Sequence, residues 1–342
     1  MTRRHEQGGS PLRRIGKGLL AVLLGLAALL AAGATYQRVC SARDARRLPP
    51  RGRFHDLGSH RLHYVCEGSG EPTVWLEAGL PRTSLDWVLV QPGLAQLTRT
   101  CSYDRAGYGH SDPGPGPRDA QRLAGELLSL ADAVSPQGRL MLVGHSWGGL
   151  VVRRAASLRP DRVAALVLVD PTPAELVAQM PAAARQEWDD SLKAAHLLAI
   201  VQPLGVPRIF AGQLAAAFGE AQRLALYPAP FRDELAAAVL RSGYFSTAWA
   251  EVSVWQATMA QAAEAKIQPD LPLRTLVAGQ GKEDWEKTLI AGTAGLSRNG
   301  QQLPVPESNH EIHSQAPERI IGTVRDLLQS LRAPAQQPPS AP

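Results

Sequence analysis

The sequence predicts an α/β fold: a mostly parallel sheet with helices on both faces and a helical insertion. Short apolar runs typical of buried strands alternate with longer stretches rich in helix formers. One strand joins a helix directly through the glycine-rich residues 144–148, whereas residues 173–268 are Ala-rich and carry no strand pattern. A chain of 342 residues with 44% hydrophobic composition is long enough for one large core with a second unit inserted.

The first 50 residues differ in charge from the rest of the chain. They hold nine Lys or Arg residues and two acidic residues, a net charge of +7, so the whole-chain value of +5 leaves −2 for the remainder. The basic character therefore belongs to the N-terminal segment. It gives no reason to expect nucleic-acid binding by the globular part.

Residues 18–37 are free of charge and dense in Leu and Ala, and about 20 apolar residues span a bilayer core. The basic segment 1–17 is expected to stay in the cytoplasm, which puts the rest of the chain outside it. A cleaved signal peptide is the alternative, because residues 32–34 read Ala-Gly-Ala, like a small-residue cleavage site. Residues 38–51, basic and containing Pro49 and Pro50, are expected to form a linker.

Eight strands are expected after the linker, the first two forming a hairpin around Gly58 and Ser59. They are residues 54–57, 61–66, 73–77, 99–103, 139–143, 162–170, 273–278 and 301–306. Helices are expected at residues 84–97, with a break near Pro92, and at 117–134, 150–159, 285–296 and 315–331. The core then comprises residues 52–172 and 269–332, and the Pro- and Gln-rich residues 333–342 are expected to be disordered.

Ser146 is the strongest candidate for a nucleophile. A strand that turns at once into a helix forces its corner residue into a strained conformation and thrusts the side chain above the sheet. Gly144 and Gly148 leave room for this turn because they lack a Cβ. The helix N-terminus beside Ser146 favours a developing oxyanion.

A serine hydroxyl needs a base, and the base needs an orienting carboxylate. The base is expected on a loop at the carboxyl ends of the strands. His310 fits, because it follows the last expected strand and precedes the closing helix. His313, three residues later, is the competing candidate.

Several motifs together resemble the α/β-hydrolase fold family. They are W-L-E-A-G at 75–79, Y-D-R-A-G-Y-G-H-S-D at 103–112, G-H-S-W-G-G at 144–149, L-V-L-V-D-P at 166–171 and S-N-H-E-I-H-S-Q-A-P-E at 308–318. The resemblance implies an eight-stranded sheet, serine-hydrolase chemistry with the chain order nucleophile, acid, histidine, and a helical cap formed by residues 173–268 over the pocket.

The resemblance leaves two candidates for the acid. Many members of the family carry it in a turn after the seventh strand, but Lys282 occupies that position here and Asp284 lies two residues later. Asp170, at the end of the preceding strand, occupies the other position from which the family supplies an acid. We favour Asp170 and keep Asp284 as the alternative; either could instead cap a helix.

The oxyanion hole needs two N–H donors. We expect them to be the backbone groups of Trp147, just after the nucleophile, and Leu80, in the loop after the third strand. Asp104 and Arg105 are interpreted as structural residues of a turn below the site. No motif indicates a metal or a cofactor, so none is expected.

The function expected from these residues is a membrane-anchored serine hydrolase that cleaves a carboxylic ester or related acyl compound through an acyl-enzyme on Ser146. Its partner is a small-molecule acyl substrate, with ester, lipid, thioester and small amide all open. A serine at the elbow argues against similarity to epoxide hydrolases and haloalkane dehalogenases, which carry Asp there. The alternative is a non-catalytic ligand-binding or sensing protein on the same scaffold.

The resemblance also brings two of the three cysteines together. In the family fold the second strand runs antiparallel beside the fourth, so Cys66 and Cys101 could face each other and form a disulfide. The alternative is that both are small buried hydrophobic residues. An extracytoplasmic location would supply the oxidising conditions that a disulfide needs.

Overall fold

The computed structural model describes residues 11–217 and 219–333 of the chain. Eight strands form one sheet: β1 (Arg53–Asp56), β2 (Arg61–Glu67), β3 (Thr73–Glu77), β4 (Thr100–Tyr103), β5 (Leu140–His145), β6 (Val163–Val169), β7 (Leu273–Ala278) and β8 (Gly300–Val305). Their spatial order is β1-β2-β4-β3-β5-β6-β7-β8. Only β2 runs antiparallel to its neighbours. The predicted α/β class with a mostly parallel eight-stranded sheet is confirmed.

Fifteen helices accompany the sheet in the described residues. They are α1 (Pro11–Arg47), α2 (Gln91–Ala95), α3 (Ala120–Val134), α4 (Gly148–Leu158), α5 (Leu176–Gln179), α6 (Ala182–Val201), α7 (Val206–Ile209), α8 (Ala211–Ala217), α9 (Glu220–Ala225), α10 (Ala229–Leu240), α11 (Tyr244–Val252), α12 (Trp255–Ala263), α13 (Asp284–Gly292), α14 (Ile312–Gln315) and α15 (Pro317–Arg332). Short 3-10 turns occupy Ser84–Trp87, Gln202–Leu204 and Thr293–Leu296.

The sheet is buried on both faces, which explains why its central strands are continuous apolar runs. Along β5, Leu140 and Leu142 pack with α3 and α4 on one face. Met141 and Val143, which alternate with them, pack with α15 on the other. Successive strand residues point to opposite faces, so a strand covered on both sides needs apolar residues at every position.

Three helix predictions differ from the structure for local reasons. The segment predicted as one helix from 84 to 97 is a 3-10 turn followed by α2, and Pro92 lies in the first turn of α2, where a missing N–H is tolerated. Helix α3 begins at Ala120, not 117, because the Asp119 side chain accepts a hydrogen bond from the Arg122 N–H and caps it. The closing helix is divided at Ala316, with α14 ahead of Pro317.

Helix α1 is longer than the predicted span. It continues through Arg47, so residues 38–47 of the predicted linker are helical and only residues 48–52 connect α1 to β1. It is the one helix of the described residues long and apolar enough to cross a membrane by length and composition, a test that a signal sequence also passes. The predictions for residues 1–10 and 334–342 lie outside the described residues.

Helices α5 to α12 separate β6 from β7, and the described part of this segment contains no strand. Helix α12 contacts both the cap, through Trp255 against Trp188, and the core. Its Met259 and Ala262 lie in the same hydrophobic cluster as residues of α3 and α4, and Gln261 donates to the Asp119 carboxylate at 2.9 Å. The cap boundary at residue 268 stays a prediction, because apolar helical sequence does not reveal which layer it packs against.

The structure joins Cys66 to Cys101 in a disulfide. The two residues are directly opposite each other in the antiparallel β2–β4 pair, the register that a bridge between neighbouring strands requires. The third cysteine, Cys40 of α1, is free.

Candidate active site

The turn between β5 and α4 holds Ser146 in a strained conformation. Its φ of 52° lies in the left-handed region, which a non-glycine residue adopts only when its surroundings impose it. A Cβ at Gly144 would lie 2.5 Å from the Val152 side chain, and one at Gly148 would lie 2.6 Å from the Ala78 carbonyl oxygen. Both glycines are therefore needed for the close approach of strand, helix and neighbouring loop.

Three side chains from different strand ends form a chain of hydrogen bonds. His310, in the loop after β8, has its Nε2 2.9 Å from Ser146 Oγ. Its Nδ1 lies 2.5 Å from Oδ2 of Asp170, at the end of β6. This is the order of hydroxyl, imidazole and carboxylate that activates a serine as a nucleophile.

Asp170 is fully buried and has a positive φ of 43°. Its second carboxylate oxygen accepts a hydrogen bond from the Ala278 N–H at 3.0 Å. Burial alone would raise the pKa of Asp170, but the hydrogen bond and charge of His310, the Lys282 ammonium and the Ala278 N–H together hold that pKa below its ordinary value. The carboxylate is therefore ionised at neutral pH and can orient and stabilise a protonated His310.

The alternative acid, Asp284, lies away from this chain of hydrogen bonds. Its side chain is fully exposed and faces Lys287 at 3.9 Å. Lys282, at the position where an acid was expected, instead places its Nζ 3.4 Å from Asp170 Oδ2 and 2.6 Å from Glu286. The sequence showed that Lys282 departs from the family pattern, but it did not predict this contact. The lysine at the usual acid position lies beside Asp170, the acid that contacts His310.

The competing base, His313, does not reach Ser146. Its ring is buried against Trp87, with a centroid distance of 5.6 Å. Its Nε2 lies 3.3 Å from Glu311 and 3.8 Å from Asp86. The structure therefore brings His310, and not His313, to the serine.

His145, which precedes Ser146 and was given no role from the sequence, contacts His310 directly. Its Nε2 lies 2.9 Å from the carbonyl oxygen of His310. Burial first, and then the neighbouring His313 and His310, lower the pKa of His145 well below its ordinary value. The neutral ring must donate its Nε2 proton to that carbonyl, and this bond holds the backbone of the loop that carries His310.

The two predicted oxyanion donors lie beside the serine. Leu80 and Trp147 line the same cavity as Ser146, and a Cβ at Gly79 would come within 3.1 Å of the Ser146 Cβ. Within residues 11–217 and 219–333, neither the Leu80 N–H nor the Trp147 N–H donates to another protein group. Both N–H groups are therefore free to bind an oxyanion.

Arg105 fastens the loop that carries Leu80. Its guanidinium donates to the carbonyl oxygens of Ala78 at 2.6 Å and Gly79 at 2.9 Å. It also pairs with Glu77 of β3 at 2.7 Å and with Glu251 of α11 through two bonds of 2.9 Å. The buried arginine thus ties the oxyanion loop to the cap, the structural role that its position in a turn indicated.

The serine opens into a cavity of about 490 Å³ between the core and the cap. Most of its wall is apolar, with Trp188, Leu192 and Leu198 of α6 facing Phe245 and Val252 of α11. Such a cavity suits the apolar part of a small molecule whose reactive group reaches Ser146.

One group of side chains in the described residues could offer three metal ligands: Asp86, Glu311 and His313, with ligand atoms within 4.8 Å of one another. Arginines already occupy the carboxylates. Arg223 pairs with Asp86 at 2.8 Å, and Arg82 pairs with Glu311 at 2.7 Å. This donor set is therefore a poor fit for a cation.

Comparisons with known proteins agree with the fold. Residues 72–208 match the family model described as alpha/beta hydrolase fold. Epoxide hydrolase A of Mycobacterium tuberculosis is 36% identical over 136 residues, which is 39% of this chain and 42% of that protein. RutD of Pseudomonas savastanoi, whose name assigns it provisionally to carbamate hydrolysis, is 37% identical over 116 residues, 32% of this chain and 42% of that protein.

A solved structure resembles this chain over a larger share of its length than the sequence matches do. Cfl2 of Burkholderia cenocepacia superimposes with a TM-score of 0.64 at 23% identity, covering 81% of this chain and 95% of Cfl2. By contrast, the chain spans less than half the length of the curated relatives it matches. The expectation of dissimilarity from epoxide hydrolases was wrong for the matched segment, because one residue at an elbow does not determine the similarity of the residues around it.

The match over residues 72–208, the sheet order and the strand–serine–helix turn all indicate the same family. The chain has the α/β-hydrolase fold.

Proposed function

We propose that this protein is a serine hydrolase that cleaves a carboxylic ester or a related acyl compound. The observation that carries the proposal is the chain of hydrogen bonds from Ser146 through His310 to Asp170, with its serine end in an apolar cavity. A buried, ionised carboxylate on one imidazole nitrogen leaves the other as a base for the hydroxyl.

In the first half of the reaction, Ser146 Oγ attacks the acyl carbonyl carbon while His310 Nε2 takes the hydroxyl proton. The carbonyl oxygen becomes an oxyanion, stabilised by the N–H groups of Leu80 and Trp147. The tetrahedral intermediate then collapses. The bond to the leaving group breaks, and His310 returns the proton to that group, which leaves an ester between Ser146 and the acyl chain.

In the second half, water attacks the same carbonyl carbon and gives its proton to His310. Collapse of the second intermediate breaks the bond to Ser146 Oγ, and His310 reprotonates the serine. The products are a carboxylic acid and the free enzyme. Asp170 stays ionised throughout, because its task is to hold the His310 ring and stabilise its charge.

A serine nucleophile favours acyl substrates over epoxides. Attack of a hydroxyl on an epoxide carbon would form an ether, which has no carbonyl for water to attack, so the enzyme would not be regenerated. Attack on an ester, thioester or carbamate carbonyl gives an intermediate that water can release. This argument separates the proposed activity from that named for the epoxide hydrolase relatives.

We propose further that α1 anchors the protein in a membrane, with the catalytic part outside the cytoplasm. The apolar stretch in α1 and the basic residues before it support this topology. The disulfide supports an oxidising compartment. The packing of Gln37 against Leu240 of the cap, through a 2.9 Å hydrogen bond, favours a retained helix over a signal cleaved near Thr35.

A fluorophosphonate probe tests the proposal, because it reacts only with an activated serine. We expect the wild-type protein to be labelled at Ser146 and the Ser146→Ala variant to stay unlabelled, with ester hydrolysis lowered ~10⁴-fold or more. The two proteins should unfold at the same temperature. A folded wild-type protein that takes no label and still binds acyl compounds would instead be a non-catalytic binding protein.

A further inference from the structure

Helix α6 is apolar on two opposite faces in its last turns. One face lines the cavity with Trp188, Leu192 and Leu198. On the opposite face Leu197 and Ile200 are 60% and 58% exposed. Exposed apolar side chains grouped on one surface mark a candidate site of contact with a second apolar medium.

The outer face of α6 changes character along its length. Its first half carries charged side chains, with Lys193 paired to Asp190 at 2.7 Å. Its last turns carry Leu197 and Ile200 and no charged side chain. Ile209 and Phe210, at the end of α7, are also 60% and 50% exposed. We name Leu197, Ile200, Ile209 and Phe210 the outer cap patch.

Helix α1 meets the cap in the chain segment that joins the two halves of this patch. A Cβ at Gly33 would lie 2.5 Å from the Leu204 carbonyl oxygen, and one at Gly205 would lie 3.0 Å from the Tyr36 ring. Leu204 and Gly205 separate Ile200 from Ile209 along the chain. Gln37 is 1% exposed and donates to Leu240.

The contact falls at the end of the apolar run of α1. At 1.5 Å per residue, about 20 helical residues cover the ~30 Å of bilayer hydrocarbon. If residues 18–37 span the membrane, Gly33 and Tyr36 lie in the last turns of the span. The cap segment that touches them then lies at the membrane boundary, and the outer cap patch flanks that segment in the chain.

We propose that the outer cap patch rests in the lipid bilayer and that the active site takes its substrate, an acyl ester with a long apolar chain, from that bilayer. This inference rests on the proposed function. Helix α6 then separates the lipid from the cavity. An acyl chain that leaves the membrane beside α6 passes from the apolar bilayer into the apolar cavity. Lipid is the expected occupant of the outer cap patch because the cap segment that joins its two halves contacts the end of the apolar run of α1.

The position of the patch can be measured on the full-length protein in phosphatidylcholine vesicles. Cys40→Ser removes the free thiol, and Ile209→Cys or Ile200→Cys then carries an NBD fluorophore. Gln301→Cys, exposed at the amino end of β8, is the control. We expect blue-shifted emission at 200 and 209 that doxyl-labelled lipids quench, and neither effect at 301. Emission at the patch equal to that at 301 would overturn the proposal, as would a blue shift without lipid quenching, which indicates a protein partner.

Substrate delivery is tested by kinetics. The Leu197→Ser/Ile200→Ser variant should hydrolyse a short, soluble ester at the wild-type rate and a long-chain ester embedded in vesicles at least ~10-fold more slowly. Asp190→Ser/Lys193→Ser, on the same face of the same helix, is the matched control and should leave both rates unchanged. Equal loss on both substrates, or no loss on either, would contradict delivery from the bilayer.

The two measurements separate the inference from the proposed function. If the wild-type protein hydrolyses neither ester and takes no fluorophosphonate label, the proposed function fails, and delivery of a substrate fails with it. Quenching at Ile209 would even then establish contact of the patch with lipid. If both esters are hydrolysed and no quenching occurs, the proposed function stands and the contact is refuted.

Discussion

Asp170 lies at the end of β6 with both carboxylate oxygens engaged, one by His310 and one by the Ala278 N–H. Lys282 adds a positive charge 3.4 Å away. Three favourable partners offset the burial of the charge, so the ionised form persists in an enclosed position. An acid at a strand end is held by the sheet itself, which fixes its geometry more firmly than an acid on a loop.

Replacement of this acid should show its role. We expect Asp170→Asn to lower kcat ~10⁴-fold, because an amide cannot hold His310 in the required tautomer. The matched change Asp284→Asn should leave kcat within about twofold, since that side chain is exposed. Steady-state kinetics on a soluble ester would test both variants. If only the Asp284 variant is impaired, the assignment of Asp170 as the acid is wrong.

Glu311, next to the base, gives the protein a pH-dependent stability. Burial alone would raise its pKa, but the guanidinium of Arg82 first, and then the neighbouring His313 and His145, lower the pKa of Glu311 from 4.5 to about 2. Because the folded-state pKa is depressed, the stabilisation is complete above about pH 4.5 and is lost as the pH falls towards 2.

Urea unfolding of the detergent-solubilised protein should detect this group. The free energy of unfolding of the wild type should exceed that of the Glu311→Gln variant by about 3 kcal/mol at pH 6. This difference should shrink towards zero near pH 2. Glu307→Gln, whose exposed side chain pairs with Arg319, is the control and should have little effect at either pH. A difference that is independent of pH would argue against an ionised Glu311.

Among the elements, β2 and β4 are joined covalently as well as by hydrogen bonds. The disulfide between Cys66 and Cys101 closes a loop with a sequence separation of 35 residues, which includes β3 and the segment up to β4. Closing such a loop lowers the conformational entropy of the unfolded chain and thereby raises the free energy of unfolding by roughly 3–4 kcal/mol. The bridge thus supports the side of the sheet that carries the oxyanion loop.

Reduction should reveal the contribution of the bridge. We expect dithiothreitol to lower the midpoint of thermal unfolding for the wild type and to leave a Cys66→Ala/Cys101→Ala variant unchanged, since that variant has no bridge to break. Mass spectrometry of a non-reduced digest provides the independent check. Separately alkylated peptides from protein taken outside the cytoplasm would rule the bridge out.

For the whole molecule, α1 is both the proposed anchor and a packed part of the cap. Gly33, Gln37, Ser41 and Asp44 recur at helical spacing along the face of α1 that contacts the cap. Asp44 pairs with Arg208 of α7 at 2.8 Å. Removing the whole helix would therefore uncover the cap as well as release the protein from a membrane.

Two shortened proteins distinguish these roles. We expect full-length protein to sediment with membranes and a protein beginning at Arg51 to be soluble. A protein beginning at Ala32 should be more stable than the one beginning at Arg51 by about 2 kcal/mol, because it keeps the hydrogen bonds of Gln37 and Asp44. Equal unfolding midpoints would show that the packing of α1 adds nothing. Recovery of a natural soluble form beginning near Thr35 would favour a cleaved signal.

The sequence by itself determined the eight strands and the strand–turn–helix unit that holds the candidate nucleophile Ser146, because local rules govern them. Strands buried on both faces must be apolar throughout, and the turn at Ser146 requires glycines at fixed offsets. His310 could be found for the same reason, since the loop after the last parallel strand must open at the carboxyl edge of the sheet.

Only the tertiary structure brought Asp170, and not Asp284, to His310, gave His145 and Lys282 contacts within the site, and packed α12 against α3 and α4. Each of these outcomes depends on side chains far apart in the chain, such as the 140 residues between Asp170 and His310. Sequence periodicity reports which face of a helix is apolar, but not what that face meets. The two apolar faces of α6 could be assigned to a cavity and an outer surface only once its neighbours were in place.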